Sequence, residues 1–176
     1  MWLVTLIRSY NNLPQLREEL GMKSVCKFTG VLALCLASVF SRASEIERVG
    51  EGRHFYTSVK IPPGAETLYL SGAGASQNED GTWDDMEGQA INVFNRFKTT
   101  LEEQGWSMSD IVQVRVFAVA GADGKLDFEG FNKGYRQFFG TEANPNKPVR
   151  SFIQIAGLVV DGWLIEVEIR AARMPK

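Results

Sequence analysis

The chain has 176 residues, of which 44% are hydrophobic, 23% charged and 11% aromatic, the balance of an ordinary folded domain. Its net charge of −2 argues against a broad nucleic-acid-binding surface, because phosphate binding usually needs a clustered excess of cations. A single histidine, His54, and two cysteines exclude a zinc finger and a zincin within one chain. Any chemistry therefore depends on arginine, carboxylates, hydroxyls, amides and water.

Residues 22–43 have the pattern of an export signal. A basic start with two lysines precedes a mostly apolar stretch from Phe28 to Phe40, and the small residues Ser41 and Ala43 fit a cleavage site. The apolar stretch would span about 20 Å as a helix, too short for a hydrocarbon core of about 30 Å. We therefore expect a signal peptide cut after Ala43 and a periplasmic or secreted protein. A retained buried helix is the alternative.

Residues 1–21 precede this signal, where secretion has no use for an extension. Glu18 and Glu19 are both encoded by GAR codons, which can spell a purine-rich ribosome-binding site shortly before Met22. Our hypothesis is that translation starts at Met22 and that residues 1–21 are a mis-called upstream extension.

Removal of the first 43 residues leaves one domain, residues 44–176, with 14 basic and 19 acidic residues and a net charge of −5. Cys26 and Cys35 leave with the signal, so the mature protein has no cysteine, which is compatible with export. Lipidation at Cys35 is the weaker alternative, because Leu34 stands where a lipoprotein signal has a small residue.

Hydrophobic periodicity predicts the order strand, strand, helix, strand, helix, strand, strand for this domain. The predicted strands are residues 55–61, 67–73, 111–120, 149–156 and 163–172, and the predicted helices are residues 86–104 and 128–139. Each helix has one buried apolar stripe, formed by Ala90, Val93, Phe94, Phe97 and Leu101 in the first and by Phe128, Phe131, Tyr135 and Phe138 in the second. Gly105 and Gly140 are placed to end the two helices.

Two helices can cover only one face of such a sheet, and we expect them to cover its aliphatic face. The opposite face then mixes charged and polar side chains with phenylalanines: Arg115, Phe117, Arg150, Phe152, Gln154, Glu166, Glu168 and Arg170. This face is too apolar to be fully solvated and too charged for a simple core. A symmetric oligomer that packs sheet faces around an axis would accommodate it.

The sequence from Tyr56 to Arg173 resembles the RidA/YjgF family, also called the liver perchloric-acid-soluble-protein family. The matching segments follow in the family's order and spacing: LYLSG (68–72), EGQAINVFNRFKTTLEEQG (87–105), SDIVQVRVFAV (109–119), FNKGYRQFF (131–139), KPVRSF (147–152) and IEVEIRA (165–171). The resemblance implies a chorismate-mutase-like α+β fold with a mixed sheet covered on one face by two helices, and a homotrimer with three clefts between subunits. It also implies hydrolysis of reactive enamines and imines, such as 2-aminoacrylate, to the 2-keto acid and ammonia.

The resemblance also assigns roles to individual residues. Arg150 matches the arginine that grips the substrate carboxylate, and Glu166 matches the glutamate that positions the attacking water. Phe152 stands in the pocket wall where family deaminases often have cysteine. The remaining matches to residues that line the cleft are Tyr56, Ser71, Gly72 and Asn132.

The chemistry of these residue types agrees with the implied activity. An arginine fork fixes the plane of a carboxylate through two parallel charge-assisted bonds. An imine conjugated to that carboxylate is already electrophilic, and a glutamate can accept a proton from the attacking water. The reaction therefore needs no metal or organic cofactor, and the expected ligand is a small 2-imino or enamino acid.

Several alternatives remain open from sequence. Arg150 and Glu166 could form an ordinary cross-strand ion pair. His54, next to Arg53 at the start of the domain, is expected to be a solvated surface residue. The protein could also be a non-catalytic member that binds small carboxylates or acts as a chaperone. Endoribonuclease activity is the weaker alternative, because the chain is poor in histidine and the mature domain is acidic. We expect no nucleic-acid partner, and no membrane association of the mature form.

Overall fold

The computed structural model describes residues 45–175, so the predictions of an export signal and of an upstream extension lie outside the described residues. These residues belong to one compact unit, Ser44–Lys176. The elements in chain order are β1 (Glu47–Glu51), β2 (Tyr56–Lys60), β3 (Glu66–Ala73), α1 (Met86–Glu103), a 3-10 turn (Met108–Asp110), β4 (Ile111–Ala118), α2 (Phe128–Tyr135), β5 (Val149–Gln154) and β6 (Ile165–Arg173). No helix within residues 45–175 has the length and apolar character needed to cross a membrane.

The predicted fold class is confirmed. A four-stranded sheet has the order β3-β6-β4-β5, in which β4 and β5 are parallel and the other neighbours are antiparallel. The two helices pack on one face of this sheet and bury the predicted stripe of α1 completely. The helices approach closely at Gly134, where an added Cβ would lie 2.8 Å from the Cβ of Ala90.

All seven predicted elements are present, and their ends shift by a few residues. The second helix is shorter than predicted and ends at Tyr135, while Phe128 at its start is 45% exposed. The strand β1 was missed, because its sequence, ERVGE, is charged and contains glycine rather than a run of β-branched residues. Its pairing with β2 into a separate two-stranded sheet defines it.

The prediction that Arg150, Phe152 and Gln154 of β5 lie on the face away from the helices was wrong. Its parallel register pairs Arg150 with Val114 and Phe152 with Val116, and both valines are fully buried under the helices. Arg150 and Phe152 therefore lie on the helix-covered face, whereas Ile153 is 48% exposed on the other. The physical reason is that β5 is an edge strand: its aliphatic residues need not join the core, and α2 supplies aromatic surface for the arginine stem.

The hairpin of β1 and β2 docks beside β5 through a small set of polar contacts. The Tyr56 N–H donates to the carbonyl of Pro148 at 3.3 Å. Lys147 Nζ donates to Glu51 Oε1 at 2.7 Å and to the Gly52 carbonyl at 2.9 Å. These contacts hold the turn between the two strands, residues 52–55, next to the start of β5.

Candidate functional site

The guanidinium of Arg150 lies among four aromatic rings. Its Cζ is 4.6 Å from the ring centroid of Tyr135, 5.4 Å from Phe131, 5.6 Å from Phe55 and 5.8 Å from Phe128. Three of these rings come from one face of α2, and Phe55 comes from the turn between β1 and β2. The rings contribute cation–π attraction while they exclude water from one side of the charge.

No carboxylate among the described residues forms an ion pair with this guanidinium, and its buried Nη1 has no hydrogen-bond partner. Burial lowers the pKa of Arg150, an effect that the Tyr135 hydroxyl partly offsets. Burial likewise raises the pKa of Tyr135, so its hydroxyl stays neutral and donates to the His54 carbonyl at 2.8 Å. A half-desolvated cation without a counter-ion is costly, and an anionic ligand would relieve that cost.

Two more unpaired polar atoms belong to the residues around Arg150. Asn132 is 1% exposed and lies on the same face of α2 as Phe128 and Tyr135, with its Oδ1 buried and without a partner. His54 precedes Phe55 and is half-buried rather than solvated, and its Nδ1 is also buried and unpaired. We call Arg150, Asn132 and these aromatic rings the Arg150 half-site.

Phe152 forms a wall of the Arg150 half-site. Its ring centroid lies 4.9 Å from that of Phe128 and 5.0 Å from that of Phe131. Phe128 meets the ring in a T-shaped contact and Phe131 in a tilted one, so the ring fills space on the helix side of β5 that a smaller residue would leave open.

Glu166 lies on the opposite face of the sheet. On β6 it is paired with Phe117 of β4 and stands between the buried core residues Ile165 and Val167. Because side chains alternate along a strand, Glu166 faces away from the helices. On its other side, the register between β3 and β6 shifts between Leu70 and Ala73, so Ser71 and Gly72 form an irregularity next to the glutamate. We call Ser71, Gly72 and Glu166 the Glu166 half-site.

Gly72 leaves the space that the Glu166 carboxylate occupies. An added Cβ at this position would overlap Glu166 Oε1 and would lie 3.0 Å from Glu166 Cδ. Only a residue without a side chain allows the carboxylate to rest against the backbone here.

We therefore expect Gly72→Ala to displace the Glu166 carboxylate and to lower any activity that uses it by about tenfold or more, because small misplacements of a reacting group are costly. The activity and the thermal unfolding midpoint of the variant are both measured, so that a loss of activity can be distinguished from a loss of stability. Gly64→Ala is not a suitable control, because its φ is +85°. Gly157→Ala is suitable, since an added Cβ there meets nothing within 4 Å. Equal activity of Gly72→Ala and Gly157→Ala would contradict the role given to Gly72.

Within one chain, the structure distributes the predicted site residues over two places. Arg150, Asn132 and Phe152 lie together on the helix side, and the Glu166 half-site lies on the open side. The predicted alternative of a cross-strand ion pair between Arg150 and Glu166 is not formed: they lie on opposite faces of the sheet, and β4 separates their strands.

Tyr56 belongs to neither half-site by its contacts in one chain. It is half-buried on β2, where it interacts electrostatically with the Arg48 guanidinium. Burial lowers the pKa of Arg48, and the interaction with Tyr56 partly offsets this effect. Sequence reasoning missed Phe55, Tyr135 and His54 as neighbours of Arg150. The aromatic stripe of α2 was a usable signal, since an arginine on a strand under that helix can lie against its rings.

No group of three or more histidine, cysteine, aspartate or glutamate residues within residues 45–175 could hold a metal ion. The guanidinium of the Arg150 half-site instead suits an anion such as a carboxylate, and the Glu166 carboxylate on the opposite face can accept a hydrogen bond or a proton.

The fold and this divided site define an α+β domain of a known class, and comparison with known proteins gives its family. Residues 53–173 match the family model described as Endoribonuclease L-PSP. A RutC family protein of Haemophilus influenzae is 34% identical over 89 residues, which cover 51% of this chain and 65% of that protein. A RutC family protein of Leuconostoc mesenteroides is 33% identical over 112 residues, 61% of this chain and 80% of that protein. The chain belongs to the RidA/YjgF (L-PSP) family.

Solved structures agree on the fold. A Yersinia pestis protein of the conserved Rid family superposes with a TM-score of 0.53 at 22% identity, covering 66% of this chain and 85% of that one. A Thermotoga maritima protein described as a candidate endoribonuclease superposes with a TM-score of 0.51 at 26% identity, covering 74% of this chain and 97% of that one. This chain spans 65% of the length of the Haemophilus influenzae relative, just under two thirds.

Proposed function

We propose that this protein hydrolyses small 2-imino and enamino acids to 2-keto acids and ammonia. The observation that carries the proposal is the Arg150 guanidinium, held among four aromatic rings with a buried, unpaired Nη1. A carboxylate fits this position because it accepts two parallel bonds from the fork and neutralises a half-desolvated charge.

The proposed reaction divides the work between the two half-sites. Arg150 binds the substrate carboxylate, and the unpaired Asn132 Oδ1 can accept a hydrogen bond from the imine N–H. Glu166 accepts a proton from water as the water oxygen attacks C2 of the imine. As the C=N π bond breaks, the nitrogen takes up the proton that Glu166 accepted, which gives a neutral carbinolamine and restores the carboxylate. Glu166 then accepts the hydroxyl proton as the carbonyl forms and the C–N bond breaks, and this proton passes to the nitrogen, which leaves as ammonia.

We further propose that the complete site forms between subunits of a homotrimer. Arg150 and Glu166 lie on opposite faces of one sheet, so one chain cannot bring both to the same substrate. A second copy that presents its open sheet face could do so. That face carries an exposed tyrosine, Tyr69, with Arg170 stacked 4.9 Å from its ring centroid, and the partly exposed pair Arg115–Glu168 at 3.7 Å.

The test is a competition between enzyme and trapping reagent. An amino-acid oxidase generates 2-iminopropanoate or 2-iminobutanoate in situ, and semicarbazide traps the imine unless the purified protein hydrolyses it first. We expect the protein to lower semicarbazone formation in proportion to its concentration. A well-folded oligomer that leaves semicarbazone formation unchanged with short and long side chains would refute the deaminase.

The competing functions are separable in the same preparation. A non-catalytic member would bind a 2-keto acid such as pyruvate without affecting semicarbazone formation. The family model is described as an endoribonuclease, so RNA cleavage is the second competing function to be tested. We expect the wild type to cleave RNA no faster than Arg150→Ala does, because the site holds one cation surrounded by aromatic rings rather than a cationic groove.

We propose that the protein is exported and that its mature form begins at Ser44. Mass spectrometry of the protein from its native cells should then find an N-terminus at Ser44. Ala43→Leu places a large residue at the cleavage site and should leave the signal attached. Peptides from residues 11–17 in the native protein would refute translation from Met22, and an uncut chain would refute export.

A further inference from the structure

The single histidine of the chain lies beside the proposed carboxylate-binding arginine. The Tyr135 hydroxyl donates to the His54 carbonyl at 2.8 Å, and the Tyr135 ring lies 4.6 Å from Arg150 Cζ. The next residue, Phe55, supplies another of the rings around the guanidinium at 5.6 Å. The backbone of the turn is thus fixed against the Arg150 half-site at two consecutive residues.

The His54 side chain has an unused polar atom at this place. Its Nδ1 is buried and has no hydrogen-bond partner, which is the same condition as Nη1 of Arg150. Unpaired buried polar atoms are rare in folded proteins. Here two of them belong to residues that both contact Tyr135, and a common ligand would satisfy both atoms.

The charges around His54 determine which ligand it suits. Burial lowers the pKa of His54, as do the charges of Arg150 on β5, Arg136 directly after α2 and the adjacent Arg53. Glu129 on α2 opposes them and is itself paired with Arg136 at 2.8 Å. The imidazole is therefore neutral at pH 7 and can donate one N–H without adding a further positive charge. Since Arg136 is paired with Glu129, Arg150 is the half-buried cation near the imidazole that has no ion pair among the described residues, and its charge favours an anionic acceptor.

We infer that His54 is a further substrate-binding residue, whose Nδ1–H donates to the carboxylate that Arg150 holds. The inference rests on the proposed function, since that function supplies the carboxylate. It adds a second donor to the arginine fork and makes the turn between β1 and β2 part of the site.

The binding of a carboxylate should be visible at His54 itself. A negative charge next to the imidazole favours its protonated form, so binding raises the pKa of His54 and takes up protons as the pH falls. Because the chain has one histidine, a preparation without purification histidines gives one imidazole Hε1 signal in an NMR titration. Pyruvate is the probe, and acetone, which lacks the carboxylate, is its matched control.

In the wild type, we expect pyruvate to raise the pKa of His54 and acetone to leave that pKa unchanged. In Arg150→Ala, pyruvate should no longer change the pKa of His54. By calorimetry, His54→Ala should weaken pyruvate binding by about tenfold or more, the usual effect of losing a hydrogen bond to a charged group. His54→Asn, whose amide N–H lies near the position of Nδ1, should recover most of the affinity. Arg53→Ala is the matched neighbour and should change the affinity by less than about threefold.

The possible results separate this inference from the proposed function. Pyruvate binding that requires Arg150 but leaves the His54 pKa unchanged, with equal affinity in His54→Ala, would overturn the role of His54 and leave the deaminase intact. Pyruvate binding that shifts His54 in a protein without imine hydrolysis would establish His54 as a ligand of a carboxylate-binding module. Absence of both binding and hydrolysis would overturn both.

Discussion

Replacing Arg150 with alanine is expected to reduce imine hydrolysis by about 100-fold or more, because the substrate carboxylate loses a bidentate charge-assisted partner in a partly desolvated site. In the semicarbazide assay, the variant concentration that halves semicarbazone formation should rise by the same factor. Pyruvate binding by calorimetry should be lost in parallel, since the interaction is present in the bound ground state as well as in the transition state.

The fold should survive this substitution. Arg150 makes no ion pair among the described residues, so its removal gives up ring contacts but also relieves the cost of a buried, unpaired charge. Because these two effects oppose each other, we expect the thermal unfolding midpoint to change little. Arg150→Lys keeps the charge but not the planar fork and should fall between the wild type and alanine. An alanine variant that hydrolyses imines at the wild-type rate would remove the basis of the proposed function.

Glu166→Gln is expected to lower the hydrolysis rate by about 10²–10⁴-fold, the usual contribution of a general base, while pyruvate binding stays near the wild-type value. The amide keeps the shape of the side chain against Gly72 and removes only its capacity to accept a proton. Glu168→Gln, two residues along the same face of β6, is the matched control, because its carboxylate pairs with Arg115 and lies outside the proposed site. Equal losses in both variants would indicate a general effect of charge on the open face.

Mixing the two inactive variants tests whether each cleft is shared between subunits. If Arg150 and Glu166 of one cleft come from different chains, random assembly of Arg150→Ala and Glu166→Gln subunits restores some clefts with both residues native. In an equal mixture, about a quarter of the clefts should regain activity. If both residues of a cleft came from one chain, the mixture would stay inactive, and the proposed trimeric site would be wrong.

The helices and strands were predictable because each has a strong local pattern. The stripe of α1, with Val93, Phe94 and Leu101 among its buried members, follows the helical period, and β6 alternates Ile165, Val167 and Ile169 with charged residues. The strand β1 has no such pattern, because pairing with β2 rather than burial of its own side chains stabilises it.

The grouping of the site residues was only partly predictable. Gly72 and Glu166 matched a family pattern in sequence, but the irregularity between β3 and β6 that brings them into contact is a property of strand register. The neighbourhood of Arg150 depends on residues far away in the chain, such as Phe55 and Tyr135, which no local period connects.

The sequence by itself determined the order and type of the main elements, the buried stripe of α1 and the family, and it predicted Arg150 and Glu166 as site residues. Only the tertiary structure decided which face of the sheet each of them occupies. Alternation along a strand states which residues share a face, but it does not state which of the two faces the helices cover. For the edge strand β5, the parallel register with β4 and the aromatic surface of α2 placed Arg150 under the helix, on the opposite side from Glu166.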